Sequence, residues 1–221
     1  MKVAVFGGAG RVGKILCLAL RDNEAFEPLA VVRSGEQANA LQESGVNASV
    51  LDIEKCTVEK ITAAIEGCDA VVWTACSGGI AMDRIFTMDL DGAIKAIEAT
   101  QKAKIQRFIM VSAINVDNRD AWWHTALKNN FIAKRTADRI LQTSGLQYTI
   151  LRPGSLHSEQ GTGKLCSLDS LEQKKPCHYL IEREDVASFI VLALTHPEKT
   201  TYKTIPLANG ELPMQGFLYV V

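Results

Sequence analysis

Short runs of consecutive apolar residues alternate along the chain with stretches in which apolar residues recur every three or four positions. The first run, Val3 to Phe6, ends at glycines and predicts a buried strand, and the stretch from Val12 to Arg21 has the spacing of a helix. By the same reasoning, further strands are predicted at 29–32, 48–53, 70–75, 107–111, 148–151 and 202–207, and further helices at 35–43, 58–65, 82–102, 128–143 and 184–194.

Continuous apolar strands that alternate with helices are typical of a parallel sheet covered on both faces. We therefore predict an α/β fold, a Rossmann-type doubly wound and mostly parallel sheet with helices on both faces. No repeat or linker interrupts the pattern, so residues 1–221 are expected to form one domain. A small cap-like substrate region is expected around 155–180, where the chain becomes polar and glycine-rich.

The charges of the 221 residues nearly cancel, with 24 lysines and arginines against 25 acids. This balance argues against a nucleic acid or an anionic membrane as a partner. The apolar runs are far shorter than the roughly 20 residues that cross a bilayer, and the first residues lack the pattern of a signal peptide. The six cysteines are scattered without CxxC spacing, which predicts reduced thiols, no metal site and a cytoplasmic location.

A glycine-rich loop joins the first predicted strand to the first predicted helix. It has the spacing Gly7-x-x-Gly10-x-x-Gly13. Glycines permit a tight turn and a close approach of the backbone, and the helix N-terminus offers free N–H groups to a pyrophosphate. The loop therefore predicts a dinucleotide site. Its predicted contact residues are Gly7, Gly8, Gly10, Arg11, Val12 and Gly13.

The end of the second predicted strand bears on the choice of dinucleotide. NAD-binding proteins usually place an acid there to bind the ribose 2′-hydroxyl, whereas this chain has Arg33 followed by Ser34. A guanidinium suits a 2′-phosphate, and Arg11 could add a second cation. NADP(H) is therefore the predicted cofactor, with Arg33 as an ordinary surface residue being the alternative.

Ligands of such sheets lie at the carboxyl ends of the strands, which adds further cofactor-binding candidates. Asp52 and Ile53 end the third predicted strand and are expected to flank the adenine. Thr74, Ala75 and Cys76 end the fourth and are expected near the middle of the cofactor. Cys76 has no partner thiol or base in the sequence pattern, so a packed thiol is the simpler interpretation.

An ordered set of motifs identifies a family resemblance that spans essentially the whole chain. The set consists of the glycine loop, Arg33, Asp52-Ile53, Val111-Ser112-Ala113, Ala133-Lys134, Leu151-Arg152-Pro153-Gly154 and Arg183 to Ala187. The chain resembles the atypical short-chain dehydrogenase/reductases, in the NmrA-like and biliverdin/flavin-reductase-like branch, and looks most like small fungal members. The resemblance implies that Ser112 is the active-site serine and Lys134 the lysine of the Tyr-x-x-x-Lys pair. It also implies that Pro153 and Gly154 meet the nicotinamide.

The chain departs from this family at the tyrosine, whose position four residues before Lys134 is Asn130. An amide cannot act as a proton donor of useful pKa, so the Ser-Tyr-Lys triad is incomplete. One interpretation is a reductase of a small, conjugated acceptor such as a quinone, flavin or enone, which takes its proton from water. A second recruits His124, or else His157, as the acid. The third is a non-catalytic NADP(H) sensor that acts through a protein partner.

Two further features near these candidates were open to more than one interpretation. Trp122 and Trp123 could stack on an aromatic substrate or could anchor a long loop in the core. Glu184 and Asp185 could be mistaken for acid/base carboxylates, but acids are favoured at any helix N-terminus. The leading prediction is an NADPH-dependent oxidoreductase that acts on a small molecule, with the catalytic candidates Ser112, Lys134 and His124.

Overall fold

Parallel strands form the central sheet of the protein. The structure is a computed structural model that describes residues 1–78, 82–173 and 179–221. The strands are β1 Lys2–Phe6, β2 Glu27–Val32, β3 Asn47–Val50, β4 Ala70–Trp73, β5 Arg107–Val111, β6 Gln147–Pro153, β7 Ser155–His157, β8 Lys164–Leu165, β9 Leu180–Glu182, β10 Lys203–Leu207 and β11 Leu212–Pro213. In the described ranges, the main sheet has seven strands in the order β10-β6-β5-β4-β1-β2-β3.

Helices connect successive strands and cover both faces of this sheet. They are α1 Arg11–Arg21, α2 Gly35–Glu43, α3 Val58–Ile65, α4 Met82–Arg84, a π-helix Ile85–Gly92, α5 Ala93–Lys102, α6 Arg119–Trp122, α7 Lys128–Thr143, α8 Leu168–Gln173, α9 Arg183–Thr195, α10 Pro197–Thr200 and α11 Met214–Phe217. The predicted fold class is confirmed by this arrangement.

The strand order reverses at β1, which pairs with β2 on one side and β4 on the other. At its carboxyl end, Phe6 is in register with Val31 of β2 and with Trp73 of β4. The connections leave this point in opposite directions, so a crevice opens beyond the strand ends. In open α/β sheets this switch point is where ligands bind.

The core has two apolar layers because successive side chains of a buried strand point to opposite faces. Val3 and Val5 of β1 belong to the layer beneath α1 and α9, while Ala4 and Phe6 belong to the layer beneath α3, α5 and α7. Both faces of the sheet are therefore buried, which explains the continuous apolar runs of its central strands.

The helix predicted over 82–102 is confirmed, but its turns are not all those of an α-helix. Residues 85–92 form a π-helix, whose wider turn accommodates an extra residue. This turn places the acidic side chain of Asp89 in the interior, where it accepts a hydrogen bond from the backbone N–H of Ser77.

Several predicted boundaries shift by a few residues at the carboxyl edge. The strands expected at 48–53 and 70–75 end at Val50 and Trp73, so the residues that follow are loops at the crevice. The strand expected to end at Leu151 runs on to Pro153, because the Pro153 carbonyl accepts from the Ile114 N–H at 2.9 Å.

The region expected to cap the sheet, around 155–180, contains β7, β8 and α8, and β7 pairs in parallel with β9. Residues 174–178, with Cys177, lie outside the described residues. The five cysteines in the described ranges have free thiols, and burial raises the pKa of Cys17 to about 12. A search of the described helices finds no segment long and apolar enough to cross a membrane.

Candidate cofactor cleft and active site

A cleft of about 480 Å³ opens at the carboxyl edge of the sheet, where β1 meets β4. It gathers residues from the glycine loop, from the ends of four strands and from the region after β6. The predicted cofactor residues that line it are Gly7, Gly10, Arg11, Val12, Arg33, Ile53, Thr74, Ala75 and Cys76. The structure thus brings together residues that are up to 69 positions apart in the sequence.

The glycine loop has the geometry that a pyrophosphate requires. Gly7 adopts a φ of 78°, a conformation that side chains disfavour, and its carbonyl accepts from the Gly10 N–H at 2.8 Å. Gly10 is the N-cap of α1 and has no side chain to accept from the first-turn N–H groups. A Cβ on Gly13 would lie 2.2 Å from the Gly7 carbonyl oxygen. The tight turn, the free N–H groups of the first turn of α1 and the close packing of that helix therefore fit the phosphates of a dinucleotide.

Gly8, Ser34 and Asp52, which were also predicted to bind the cofactor, are not among the residues that line the cleft. A Cβ on Gly8 would lie 2.6 Å from the Ala30 side chain, so Gly8 allows close packing on β2. Ser34 caps α2, its hydroxyl accepting from the Gln37 N–H at 3.3 Å. Asp52 accepts from the backbone of its own turn and forms an ion pair with Lys55 at 3.3 Å. These contacts support the wall and do not line it.

Arginines supply the charge of the cleft. Within the described ranges, Arg11, Arg33, Arg84 and Arg183 line it, and no acidic residue does. Arg84 is paired with Glu54, which accepts two N–H groups at 2.9 and 3.1 Å. Burial works to raise the pKa of Glu54, but Arg84, Thr87 and Arg33 outweigh it and hold that pKa below its usual value. Arg33, which follows β2, therefore lies close enough to the Arg84–Glu54 ion pair to affect the pKa of Glu54.

Beyond β5, Ser112 belongs to a buried polar cluster. Its backbone N–H donates to the Leu151 carbonyl at 2.7 Å, and its hydroxyl faces the buried carboxyl of Asp138. Asp138 also accepts two N–H groups of Arg152 at 3.0 and 3.1 Å. Burial raises the pKa of Asp138, while Ser112, Arg152 and Lys134 act in the opposite direction. The structure thus brings Ser112 and Lys134 to Asp138, outside the lining of the cleft.

The predicted nicotinamide segment also lies outside that lining. Pro153 closes β6 beside Leu207 of β10. A Cβ on Gly154 would lie 2.3 Å from the Tyr179 carbonyl oxygen, so the glycine permits the chain to pass close to Tyr179. The neighbouring Leu156 does line the cleft.

Asn130, at the position of the family's tyrosine, is fixed by a buried carboxylate. Its Nδ2 donates to Asp89 Oδ2 at 2.9 Å. The same carboxylate accepts the Ser77 hydroxyl at 2.8 Å and the Ser77 N–H at 2.6 Å. Because Ser77 follows β4 in the cleft wall, the Asn130 amide helps to hold that wall in place.

The histidine and tryptophan candidates lie apart from this region. His124 is exposed and lines a separate shallow hollow with Trp123. Trp122 is buried, stacks on Phe131 and donates to the Asn115 carbonyl, so it anchors the loop in the core. Trp123 is exposed and its ring lies under the Lys128 ammonium at 4.0 Å. The structure brings neither His124 nor the two indoles to the cleft.

The sequence prediction missed Asp89 and several residues that line the cleft, among them Ser77, Arg84 and Arg183. Asp89 falls on the apolar stripe of the helix predicted over 82–102, and an acid on such a stripe is the signal that could have revealed it. Arg183 stands in the motif with Glu184 and Asp185, where only the two acids drew attention. Those acids accept backbone N–H groups of the loop at 161–163, while Arg183 lines the cleft.

Comparisons with known proteins agree with this picture of the fold and the cleft. A family model described as NAD(P)H-binding matches residues 7–197. A UPF0659 protein of Saccharomyces cerevisiae is 52% identical over 221 residues, which cover 99% of this chain and 97% of the yeast protein. An uncharacterized sugar epimerase of Bacillus subtilis, YhfK, is 41% identical over 215 residues, 97% of each chain.

Solved structures with the same fold include two described as redox enzymes. The oxidoreductase YlbE from Lactococcus lactis superposes with a TM-score of 0.86 at 31% identity, covering 99% of this chain and 95% of that one. ChuY from Escherichia coli O157:H7, described as an anaerobilin reductase, has a TM-score of 0.75 at 25% identity, with 96% and 98% covered.

The fold and the cleft define a nucleotide-binding protein of the Rossmann type. The chain belongs to this NAD(P)H-binding family. The predicted resemblance and the prediction of a nicotinamide dinucleotide as cofactor are thereby confirmed. The roles assigned to individual site residues stay predictions.

Proposed function

We propose that this protein is an NADPH-dependent reductase of a small, conjugated acceptor such as a quinone, flavin or enone. The observation that carries the proposal is the hydrogen bond from Asn130 to Asp89. At the position where the family has a phenolic proton donor, this chain has the amide of Asn130, which is already hydrogen-bonded to Asp89. A conjugated acceptor does not need that donor, because its reduced form spreads negative charge and takes a proton from water.

The proposed preference for NADP(H) rests on Arg33. Its side chain is exposed at the end of β2 and lines the cleft, while the Gln37 side chain accepts its backbone N–H at 3.0 Å. This anchors the turn without using the guanidinium. A guanidinium there suits the two oxygens of a ribose 2′-phosphate, and the described residues of the cleft lining include no acid for a 2′-hydroxyl.

When bound, the reduced nicotinamide supplies the hydride. The proposed role of Lys134 is to hold the adjacent ribose, which needs only a positioned ammonium. Within the described ranges, the buried Ser112 hydroxyl lies beside Asp138 and has no hydrogen-bond partner, so it is free to bond to a ligand. Ser112 is therefore proposed to orient the nicotinamide end and not to protonate the acceptor. His124 is left out of the proposed site because it lies in the separate hollow.

The proposed location of the protein is the cytosol, and its proposed substrate is a freely diffusing small molecule. The scattered free thiols support a reducing compartment. The near-neutral charge supports neither a nucleic acid nor an anionic membrane as partner.

The runner-up function is a non-catalytic NADP(H) sensor that acts through a protein partner. The same hydrogen bond favours it, because a site that lacks its proton donor can bind cofactor without turning over. The two functions differ in whether any acceptor oxidises bound NADPH.

The test is a steady-state assay of NADPH consumption, followed by absorbance, with quinones, flavins, enones and aldehydes as acceptors. The proposal predicts turnover with the conjugated acceptors, little with simple aldehydes, and a lower rate in Ser112→Ala. NADPH binding is confirmed in each preparation. Turnover of aldehydes alone would contradict the proposal. An epimerase would show binding without net consumption, because such a reaction returns its cofactor unchanged.

A further inference from the structure

Arg183 is a cation built into the cleft wall. It is the first residue of α9, is 7% exposed and lines the cleft. Its Nη1 donates to the Ser158 hydroxyl at 2.6 Å, which fixes the guanidinium. In the described ranges this is the one hydrogen bond of its side chain, and a guanidinium has five N–H donors. Most of its donor capacity is therefore available to a ligand.

The acids that flank Arg183 in the sequence are engaged by the loop at 159–163. Asp185 accepts the backbone N–H groups of Thr162 and Gly163 at 2.9 and 2.8 Å. Glu184 accepts the N–H of Gly161 at 2.8 Å, and Glu182 that of Glu159 at 2.9 Å. These carboxylates fix the loop that carries Ser158. None of the three lines the described part of the cleft.

Arg11 faces the same space from the glycine loop, as the first residue of α1. Burial lowers the pKa of Arg183, the positive charge of Arg11 lowers it further, and Glu182 offsets part of this. Two cations thus share one cleft beside the N-terminus of α1. An anion between the two guanidinium groups would offset both the cost of burying the charge of Arg183 and the repulsion between the two arginines.

We propose that Arg11 and Arg183 form a clamp that grips the pyrophosphate of the cofactor from two sides. Arg11 comes from the glycine loop and Arg183 from the start of α9, and the two line the same cleft. The inference rests on the cofactor cleft and not on turnover. It therefore stands or fails independently of the reductase proposal.

A carboxylate on the acceptor is the other anion that could use Arg183. The position of Arg11 at the start of α1 favours the pyrophosphate, because the free N–H groups of the first turn point to the same place. Two probes that contain neither the nicotinamide nor any part of an acceptor distinguish pyrophosphate binding from acceptor binding. They are 2′-phospho-ADP-ribose, which contains the pyrophosphate, and adenosine 2′-monophosphate, which does not.

The experiment is calorimetric titration of the full-length protein with each probe. Arg183→Met and Arg11→Met are each expected to weaken 2′-phospho-ADP-ribose by about tenfold or more, since each removes charge-assisted hydrogen bonds. The clamp assigns Arg11 to the pyrophosphate and not to the 2′-phosphate, so both variants should bind adenosine 2′-monophosphate within about twofold of the parent. Arg33→Met should weaken both probes, and Arg119→Met, which removes a charge outside the cleft, should change neither.

A second variant guards against misfolding of Arg183→Met. Ser158→Ala keeps the charge and removes only the anchor, so it should weaken 2′-phospho-ADP-ribose by about threefold and spare adenosine 2′-monophosphate. Unchanged affinity of Arg183→Met and Ser158→Ala for 2′-phospho-ADP-ribose would overturn the clamp. A raised KM for the acceptor alone would assign Arg183 to the substrate instead. Equal losses with both probes would show a general distortion and would also overturn it.

Discussion

Asn130 and Asp89, which lie 41 positions apart, are joined by a hydrogen bond of 2.9 Å from Nδ2 to Oδ2. The same Asp89 carboxylate also accepts two hydrogen bonds from Ser77. The carboxylate therefore links α7, the π-helix and the cleft wall after β4. The residue that replaces the family's tyrosine therefore has a structural task as well as a chemical consequence. Substitutions at this position must separate the two effects.

Asn130→Tyr should raise the turnover of simple aldehydes above that of Asn130→Phe. Both rings remove the donor to Asp89 and have nearly the same size, so their structural cost is matched. The phenol hydroxyl alone can donate a proton, an effect worth about a hundredfold or more in favourable cases. The measurement is kcat/KM for an aldehyde with saturating NADPH. Equal rates in the two variants would mean that the pocket, and not the missing acid, limits aldehyde reduction.

Arg33→Ala should weaken NADPH binding by about tenfold to a hundredfold and leave NADH binding nearly unchanged. The guanidinium has a bidentate partner only when the ribose carries a 2′-phosphate. The affinities are measured by titration of each dinucleotide with the parent and the variant. Equal losses for the two cofactors would show that Arg33 does not read the 2′-phosphate.

Gly13→Ala should destabilise the protein and weaken cofactor binding, because the new Cβ would meet the Gly7 carbonyl at 2.2 Å. Either the glycine turn or α1 must then shift. Gly35→Ala is the matched control: it lies in the first turn of α2, and its Cβ would meet nothing within 4 Å. Replacing a helical glycine there should keep or raise stability, by up to about 1 kcal/mol. Thermal unfolding and NADPH titration of both variants check this, and similar behaviour of the two would contradict the close packing.

Asp138→Asn should change how stability depends on pH. Burial raises the pKa of Asp138 in the folded state, even though Ser112 and Arg152 oppose this. An acid with a raised folded pKa binds its proton more tightly when folded. The free energy of unfolding therefore falls as the pH rises from about 4, the usual aspartate pKa, through the folded pKa.

The variant lacks this titration, so the stability of the parent relative to Asp138→Asn should decrease across that window. Urea unfolding of both proteins between about pH 4 and about pH 7 measures the difference. A relative stability that instead increases with pH would show that the ion pair with Arg152 outweighs the burial of the carboxylate.

The sheet and the glycine loop could be predicted from the sequence because their signals are local. Apolar runs such as Val3 to Phe6 identify strands, and the spacing of Gly7, Gly10 and Gly13 depends on neighbours within a few residues. Even the extent of α2 at Gly35–Glu43 follows from local pattern. The fold class, in turn, follows from the order of these elements.

The roles of Asp89 and Arg183 could not be predicted because their partners are remote in the sequence. Asp89 is buried in the π-helix and accepts hydrogen bonds from Ser77 and Asn130. Arg183 is fixed by Ser158, across a loop whose course depends on backbone hydrogen bonds. Periodicity describes one element at a time and contains no information about such contacts.

The measurement that tests the central claim most directly is a single turnover. Protein loaded with an equimolar amount of NADPH is mixed rapidly with a quinone or with a simple aldehyde, and the nicotinamide absorbance is followed. The proposed function predicts that the quinone oxidises the bound NADPH far faster than it oxidises free NADPH, whereas the aldehyde has little effect. Tight binding with no enhanced oxidation by quinones, flavins or enones would contradict it and favour the sensor.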